Sequence, residues 1–186
     1  TVPFGGKQKK LSTNPYSIGI PGGKNGPVVI DFATSMVAGG WVYSAKRLGL
    51  KLQTGSIIDR DGNPTDDPDD YFSGGAILPA GGAKGYSLSV VAELIAEAIL
   101  GPVTLECNWL IITVDTGIFQ HNSKLEAIAE EVLSDIRSCP PAEGFEKVEI
   151  PGERERETSK LLSSKGIKVT LELWSQILNL QKSLKI

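Results

Sequence analysis

The stretch from Leu78 to Leu88, LPAGGAKGYSL, sets Gly81, Gly82 and Gly85 around Lys84 and then opens an amphipathic run. Glycine tolerates positive φ and lets another group come close to the backbone. Unpaired N-H groups and the positive end of a helix dipole attract a phosphate or carboxylate, and Lys84 adds a full charge. The stretch is therefore either an ordinary turn that opens a helix or a backbone stripped for an anionic ligand. Its spacing is neither GxxxxGK[ST] nor GxGxxG, so the two common phosphate-binding fingerprints are absent.

Downstream of the turn the pattern is helical. Leu88, Val91, Ala92, Ile95 and Ile99 recur at i, i+3, i+4, i+7 spacing until Gly101-Pro102, which predicts a helix. NWLIITVD, Asn108 to Asp115, reads as a buried strand. Ser123 and Glu126 form a capping-box pattern ahead of a second helix that Cys139-Pro140-Pro141 ends. KVEI, Lys147 to Ile150, predicts a short strand. A charged helix follows to Gly166, and Thr170 can cap a last helix with Leu173, Trp174, Ile177, Leu178 and Leu184 on one side, Trp174 being expected in the core.

Upstream, Gly and Pro punctuate the chain into short strands and turns. The run Val28 to Ile30 ends at Asp31, and FATSMVAGGWVYSAKRLG then takes a helical spacing with Val37, Val42, Ala45 and Leu48 on one face. Asp31 to Ser35 is thus expected at a strand-to-helix junction. DRDGNPTDDPDDY, Asp59 to Tyr71, is a polar turn-rich loop.

Composition narrows the function. At 186 residues and 40% apolar content the chain can bury a sizeable core. The net charge of -3 and the absence of a long basic run argue against nucleic acid. No apolar stretch nears the roughly 20 residues of a membrane span, so a soluble protein is expected and no membrane partner. Cys107 and Cys139 lie too far apart for a disulfide framework and have no metal-ligand neighbours, so reduced thiols, no metal and a cytoplasmic setting are expected. The start TVPFGG shows neither an initiator Met nor a secretory signal, and the chain is read as a fragment. The lone His121 reads as a solvent-facing loop residue.

Five motifs then occur in order: STNPYSIGIP (Ser12 to Pro21), DFATS (Asp31 to Ser35), DGNPTDDP (Asp61 to Pro68), GAILPAGGAKGYSL (Gly75 to Leu88) and IPGERERE (Ile150 to Glu157). This series resembles the malate/L-lactate dehydrogenase family, which is unrelated to the Rossmann lactate dehydrogenases. The resemblance implies an α/β fold. Its parts are a non-Rossmann nucleotide-binding domain with a mixed β-sheet flanked by helices, residues 1-150, and a C-terminal helical segment of a second domain, residues 151-186. It implies a homodimer using NAD or NADP to interconvert 2-oxo and 2-hydroxy acids. A cyclic imine (piperideine or pyrroline-2-carboxylate) reductase and an inactive nucleotide-binding fragment are the alternatives.

Residue by residue, the resemblance implies that Asp31, Phe32, Ala33, Thr34, Ser35, Gly81, Gly82, Ala83, Lys84, Gly85, Gly152 and Glu153 line the cofactor site. Thr13 and Asn14 would lie near the nicotinamide end, and Asp31 is the catalytic candidate. The family's proton-transfer His and carboxylate-binding Arg belong to a region preceding the PFGG match, so the chain alone is expected to be inactive. Ala83 stands where many relatives carry a His or Trp, and Trp41 where they often carry Lys.

Overall fold

The computed structural model describes residues 1-101 and 108-184. The predicted helix stop at Pro102 and Cys107 lie outside the described residues. Contacts divide the chain into two compact units, one of residues 1-19 and 29-122, the other of 20-28 and 123-186.

Largely in the first unit, β1 (Tyr16–Ile20) pairs with β2 (Val28–Phe32), and wholly within it β3 (Ile57–Ile58) lies between β4 (Pro64–Thr65) and β5 (Ala76–Ile77) in a small antiparallel sheet. Ile57 stands opposite Thr65 on one side and Ile77 on the other. Helices α1 (Gly39–Leu48), α2 (Pro68–Phe72) and α3 (Ala83–Leu94) complete it, α3 running on into a π-helical turn at Ile95–Ile99.

Local chemistry explains these elements. Asp59 accepts from the amides of Asp61 and Asn63, both at 2.9 Å, and Gly62 supplies φ 97°, which closes the β3-β4 turn. Asp67 caps α2 by accepting from the Asp69 amide, and Pro68 sits at the first helical position, where its missing N-H costs nothing. Gly49 ends α1 at φ 64°.

The core is built on the three-stranded sheet. Val42 of α1 packs with Ile57 and Ile77, flanked by Val37, Leu52 and Tyr71, while Val2, Ile58 and Ala76 with Leu78 form a second cluster. The predicted inward face of α1 is thus half realised, since Val42 and Ala45 are buried but Leu48 is exposed. Lys9 lies over the Tyr71 ring and donates to the Tyr71 carbonyl at 2.9 Å. Partial burial holds its ammonium below the usual lysine range.

The second unit contains α4 (Asn122–Arg137), α5 (Glu153–Lys165) and α6 (Leu171–Leu184) with the 20-28 turn. Gly166 caps α5, and the Thr170 hydroxyl accepts from the Leu173 amide at the start of α6, as its position predicts.

Three expectations fail in these elements. Residues 108-115 form no strand, and Trp109 and Ile111 are 77% and 79% exposed. A strand exists only where a neighbour takes its N-H and C=O groups, and among the described residues no ladder includes this segment. Lys147 to Ile150 likewise forms no strand, although Ile150 is buried. The helix expected after the glycine turn is present as α3 and its π-helical turn, where Leu88 and Val91 are exposed, Ala92 and Ile95 half-buried and Gly85 and Ser89 buried, because close backbone approach selects the small residues. Trp174 is also exposed, as is the rest of the predicted inner face of α6, for an amphipathic pattern specifies a face and not its cover.

Candidate functional site

Backbone hydrogen bonds sew three separate segments of the first unit together. The buried Thr34 donates to the Thr13 carbonyl twice, from its amide at 2.9 Å and from Oγ1 at 3.0 Å. Its own carbonyl accepts from the Ala80 amide at 2.9 Å, and the Met36 amide donates to the Leu78 carbonyl at 2.8 Å. Ser35, also buried, bridges to Pro79 and turns its hydroxyl to the Val37 carbonyl. The structure therefore brings Thr13, Thr34 and the glycine turn into one place.

Asp31 and Phe32 lie inside β2 and not at a junction, which falls instead at Ala33 to Ala38. The strand runs two residues further because the Tyr16 and Phe32 rings stack, with centroids 6.1 Å apart, and the Tyr16 hydroxyl holds the Leu88 carbonyl at 2.9 Å. Asp31 is exposed, and none of the described hydrogen bonds orients its carboxylate.

The turn itself is built around glycine. Gly81 has φ 58° and Gly82 φ 63° with ψ -116°, a combination open essentially to glycine. A Cβ on Gly82 would stand 3.2 Å from the Phe4 ring, so an aromatic edge covers the turn although position 83 is only Ala. Gly85 donates to the Ala80 carbonyl at 2.8 Å, and no side chain fits there. Ala83 is the first residue of α3, and Lys84 is exposed without an ion-pair partner among the described residues.

Beside this turn lies a mainly apolar groove of about 690 Å³. Phe32, Ala33 and Ser35 line it together with Met36, Trp41, Leu48, Leu50 and Ala80. Trp41, noted in the sequence only as a departure, becomes one of its walls. A hollow of about 610 Å³ on α5, lined by Arg154, Thr158 and Leu162, holds no residue of this constellation.

Sequence reading missed Ser89 and Glu93. The Asn14 amide donates to the Ser89 carbonyl at 3.0 Å, the Ser89 hydroxyl at 3.1 Å and Glu93 Oε2 at 2.7 Å. The signal to be found was a serine and a carboxylate four apart on α3, one turn of the same face.

Gly152 and Glu153 belong to the second unit. Gly152 is buried at φ 91° and caps α5. Glu153 accepts from Arg137 Nη2 at 2.7 Å and from the Ile150 amide at 3.1 Å, while Glu130 takes the Lys24 amide at 3.0 Å and Arg156 donates to the Pro27 carbonyl at 2.6 Å. Burial works to raise the Glu153 carboxyl, but the Ile150 amide and the Arg137 guanidinium outweigh it and hold the group below the usual carboxylate range. Its stabilisation is then present above the unfolded-state value and is lost as pH falls through the depressed one. Arg137→Met is expected to cost on the order of 1 kcal/mol at neutral pH, with the gap from wild type closing as the carboxyl is protonated. Urea unfolding of both proteins at neutral and acid pH measures it.

Cys139 is a free exposed thiol, and His121 is exposed beside the start of α4. Among the described residues no group of three or more His, Cys, Asp and Glu is placed to hold a metal, and no helix is long and apolar enough to cross a membrane.

A short-stranded α/β unit whose glycine turn opens a helix beside a strand end defines an α/β class that uses neither common phosphate fingerprint. The chain belongs to the malate/L-lactate dehydrogenase family, whose model matches residues 1–178. It is 35% identical over 188 residues to the L-sulfolactate dehydrogenase of Methanocaldococcus jannaschii, covering 95% of this chain and 54% of that protein. It is 33% identical over 183 residues to a Delta(1)-pyrroline-2-carboxylate/Delta(1)-piperideine-2-carboxylate reductase of Pseudomonas putida, covering 91% of this chain and 52% of that one. The crystal structure of malate dehydrogenase from Entamoeba histolytica superposes with a TM-score of 0.89 at 20% identity, over 100% of this chain and 58% of that chain, a likeness of fold. The chain thus spans about half the length of the curated relatives it matches.

Proposed function

We propose that the chain is the nicotinamide-dinucleotide-binding portion of an oxidoreductase that interconverts small 2-oxo and 2-hydroxy acids of the malate and lactate type. The observation that carries this reading is the Gly81-to-Gly85 turn at the start of α3, with its exposed Lys84, stitched through Ala80 and Thr34 to Thr13. Those residues fit a dinucleotide: the turn admits a close anion, Lys84 neutralises phosphate, and the apolar groove offers a ring a non-polar wall.

When bound, the cofactor supplies the hydride. The chain's residues bind and orient. Phe32 and Ala33 line the groove, Gly152 and Glu153 are proposed as further cofactor residues, and Asp31, next to Phe32 in β2, is the chain's own candidate for proton handling. NAD and NADP are both retained, as are a homodimeric assembly and a cytoplasmic setting.

The Pseudomonas putida relative supports a second reading, reduction of a cyclic imine carboxylate on the same scaffold. Both readings require dinucleotide binding. Titration of the chain with NADH and NADPH is expected to give energy transfer from tryptophan to the nicotinamide. Absence of that signal together with absence of heat in calorimetry would remove the cofactor assignment.

A further inference from the structure

We propose that Glu93, with Ser89, is a positioning residue that decides which end of the Asn14 amide faces the ligand, presenting Oδ1 as a hydrogen-bond acceptor. This rests on the dinucleotide reading above and deepens it.

The argument begins with what an Asn side chain offers: two donor hydrogens on Nδ2 and an acceptor at Oδ1. Three acceptors on α3 crowd one end of the Asn14 amide, at 2.7 to 3.1 Å. A carboxylate and a carbonyl accept only, so rotating the amide by half a turn would set Oδ1 against both. The nitrogen must therefore point to α3. Oδ1 is left facing the other way, where no donor of the described residues reaches it, and it is not among the buried polar atoms sealed without a partner.

The backbone bears the mark of this arrangement. Asn14 is the one non-glycine residue with positive φ, 36°, among the described residues. That conformation costs free energy and persists where its surroundings enforce it. The neighbouring Thr13 carbonyl is fixed by both donors of Thr34, which ties the backbone just before Asn14 to the segment that carries Asp31 to Ser35. An acceptor so held suits an N-H or O-H donor. On a nicotinamide dinucleotide the donors are the carboxamide, the ribose hydroxyls and the adenine amino group.

The experiment measures binding of NADH, NMN and ADP-ribose to the wild-type chain and to Glu93→Met and Glu93→Gln by calorimetry, with thermal unfolding of each protein. Glu93→Met is expected to weaken NADH and one fragment about 5- to 30-fold, the loss of a single oriented hydrogen bond. The other fragment stays unchanged unless the donor sits on the nicotinamide ribose common to both, and Glu93→Gln, which keeps an acceptor, remains near wild type. A loss confined to NMN assigns the carboxamide, a loss confined to ADP-ribose assigns the adenosine half, and a loss in both with thermal stability unchanged assigns a hydroxyl of the nicotinamide ribose, which both fragments carry.

Equal weakening of both fragments in step with thermal destabilisation would overturn the inference in favour of plain packing. Unchanged binding by Glu93→Met, with Lys84→Ala still weakening NADH, would overturn it while the cofactor reading stands. Failure of the wild type to bind any of the three removes both. Should Glu93→Met not fold, the single variant Asn14→Asp is compared with the double variant that adds Glu93→Gln. In the double variant the new amide on α3 donates to the new carboxylate and leaves its second oxygen facing outward as the acceptor. Recovery of fragment affinity in the double variant supports the inference, and its absence overturns it.

Discussion

Gly85→Ala is expected to destabilise the first unit by about 3 kcal/mol or more, a large share of the roughly 5 to 15 kcal/mol that holds a domain folded. The added Cβ would stand 2.3 Å from the Ala80 carbonyl oxygen, 2.5 Å from the Thr34 carbonyl oxygen and 2.7 Å from the Ala80 nitrogen. All three are backbone atoms, so no side-chain rotation relieves the clash. Moving them breaks the Ala80-to-Thr34 and Gly85-to-Ala80 hydrogen bonds that sew the site. Gly40→Ala is the control, because nothing lies within 4 Å of its Cβ position and alanine favours the helix. Urea unfolding followed by tryptophan fluorescence compares the two. Similar midpoints would mean that α3 can shift away from the Thr34 strand at little cost.

Lys84→Ala is expected to weaken dinucleotide binding by about 1.5 to 3 kcal/mol, roughly 10- to 150-fold, as the loss of a charge-assisted phosphate contact. Lys46→Ala should have a far smaller effect. The Lys46 ammonium is already engaged with Asp69 at 2.6 Å and lies 4.4 Å from the centre of the Phe72 ring, so it is not held in reserve for a ligand. Calorimetric titration with NADH at two salt concentrations distinguishes a local contact from general attraction, since surface charges are screened and a seated ion pair is screened less. Equal losses in the two variants would reduce Lys84 to one surface charge among many.

These two residues also show how legible the site was. Glycine and lysine announce themselves because turn geometry and charge are local properties, and the α3 start lies within a residue of where the spacing put it. The side of α3 that packs was not legible, because the hydrophobic period points to Leu88 and Val91 whereas the fold chooses Gly85 and Ser89 for close approach. Nor could Asn14 be linked to Glu93, since 79 positions separate the pair and no periodicity spans that distance. The segment Asn108 to Asp115 has the composition of a strand, yet its neighbours decide whether a ladder forms.

The short excursion Ile20 to Val28 carries a consequence for the order of folding. It belongs to the second unit although the flanking strands β1 and β2 lie largely in the first. Its anchors are remote, with the Lys24 amide held by Glu130 across 106 positions and the Pro27 carbonyl by Arg156 across 129. A ribosome delivers those partners only after the whole first unit has emerged, so the loop must wait as an open polar turn while its flanking strands pair. Contacts of such long sequence separation form late and slowly, and the second unit closes on a segment made before most of the first unit existed.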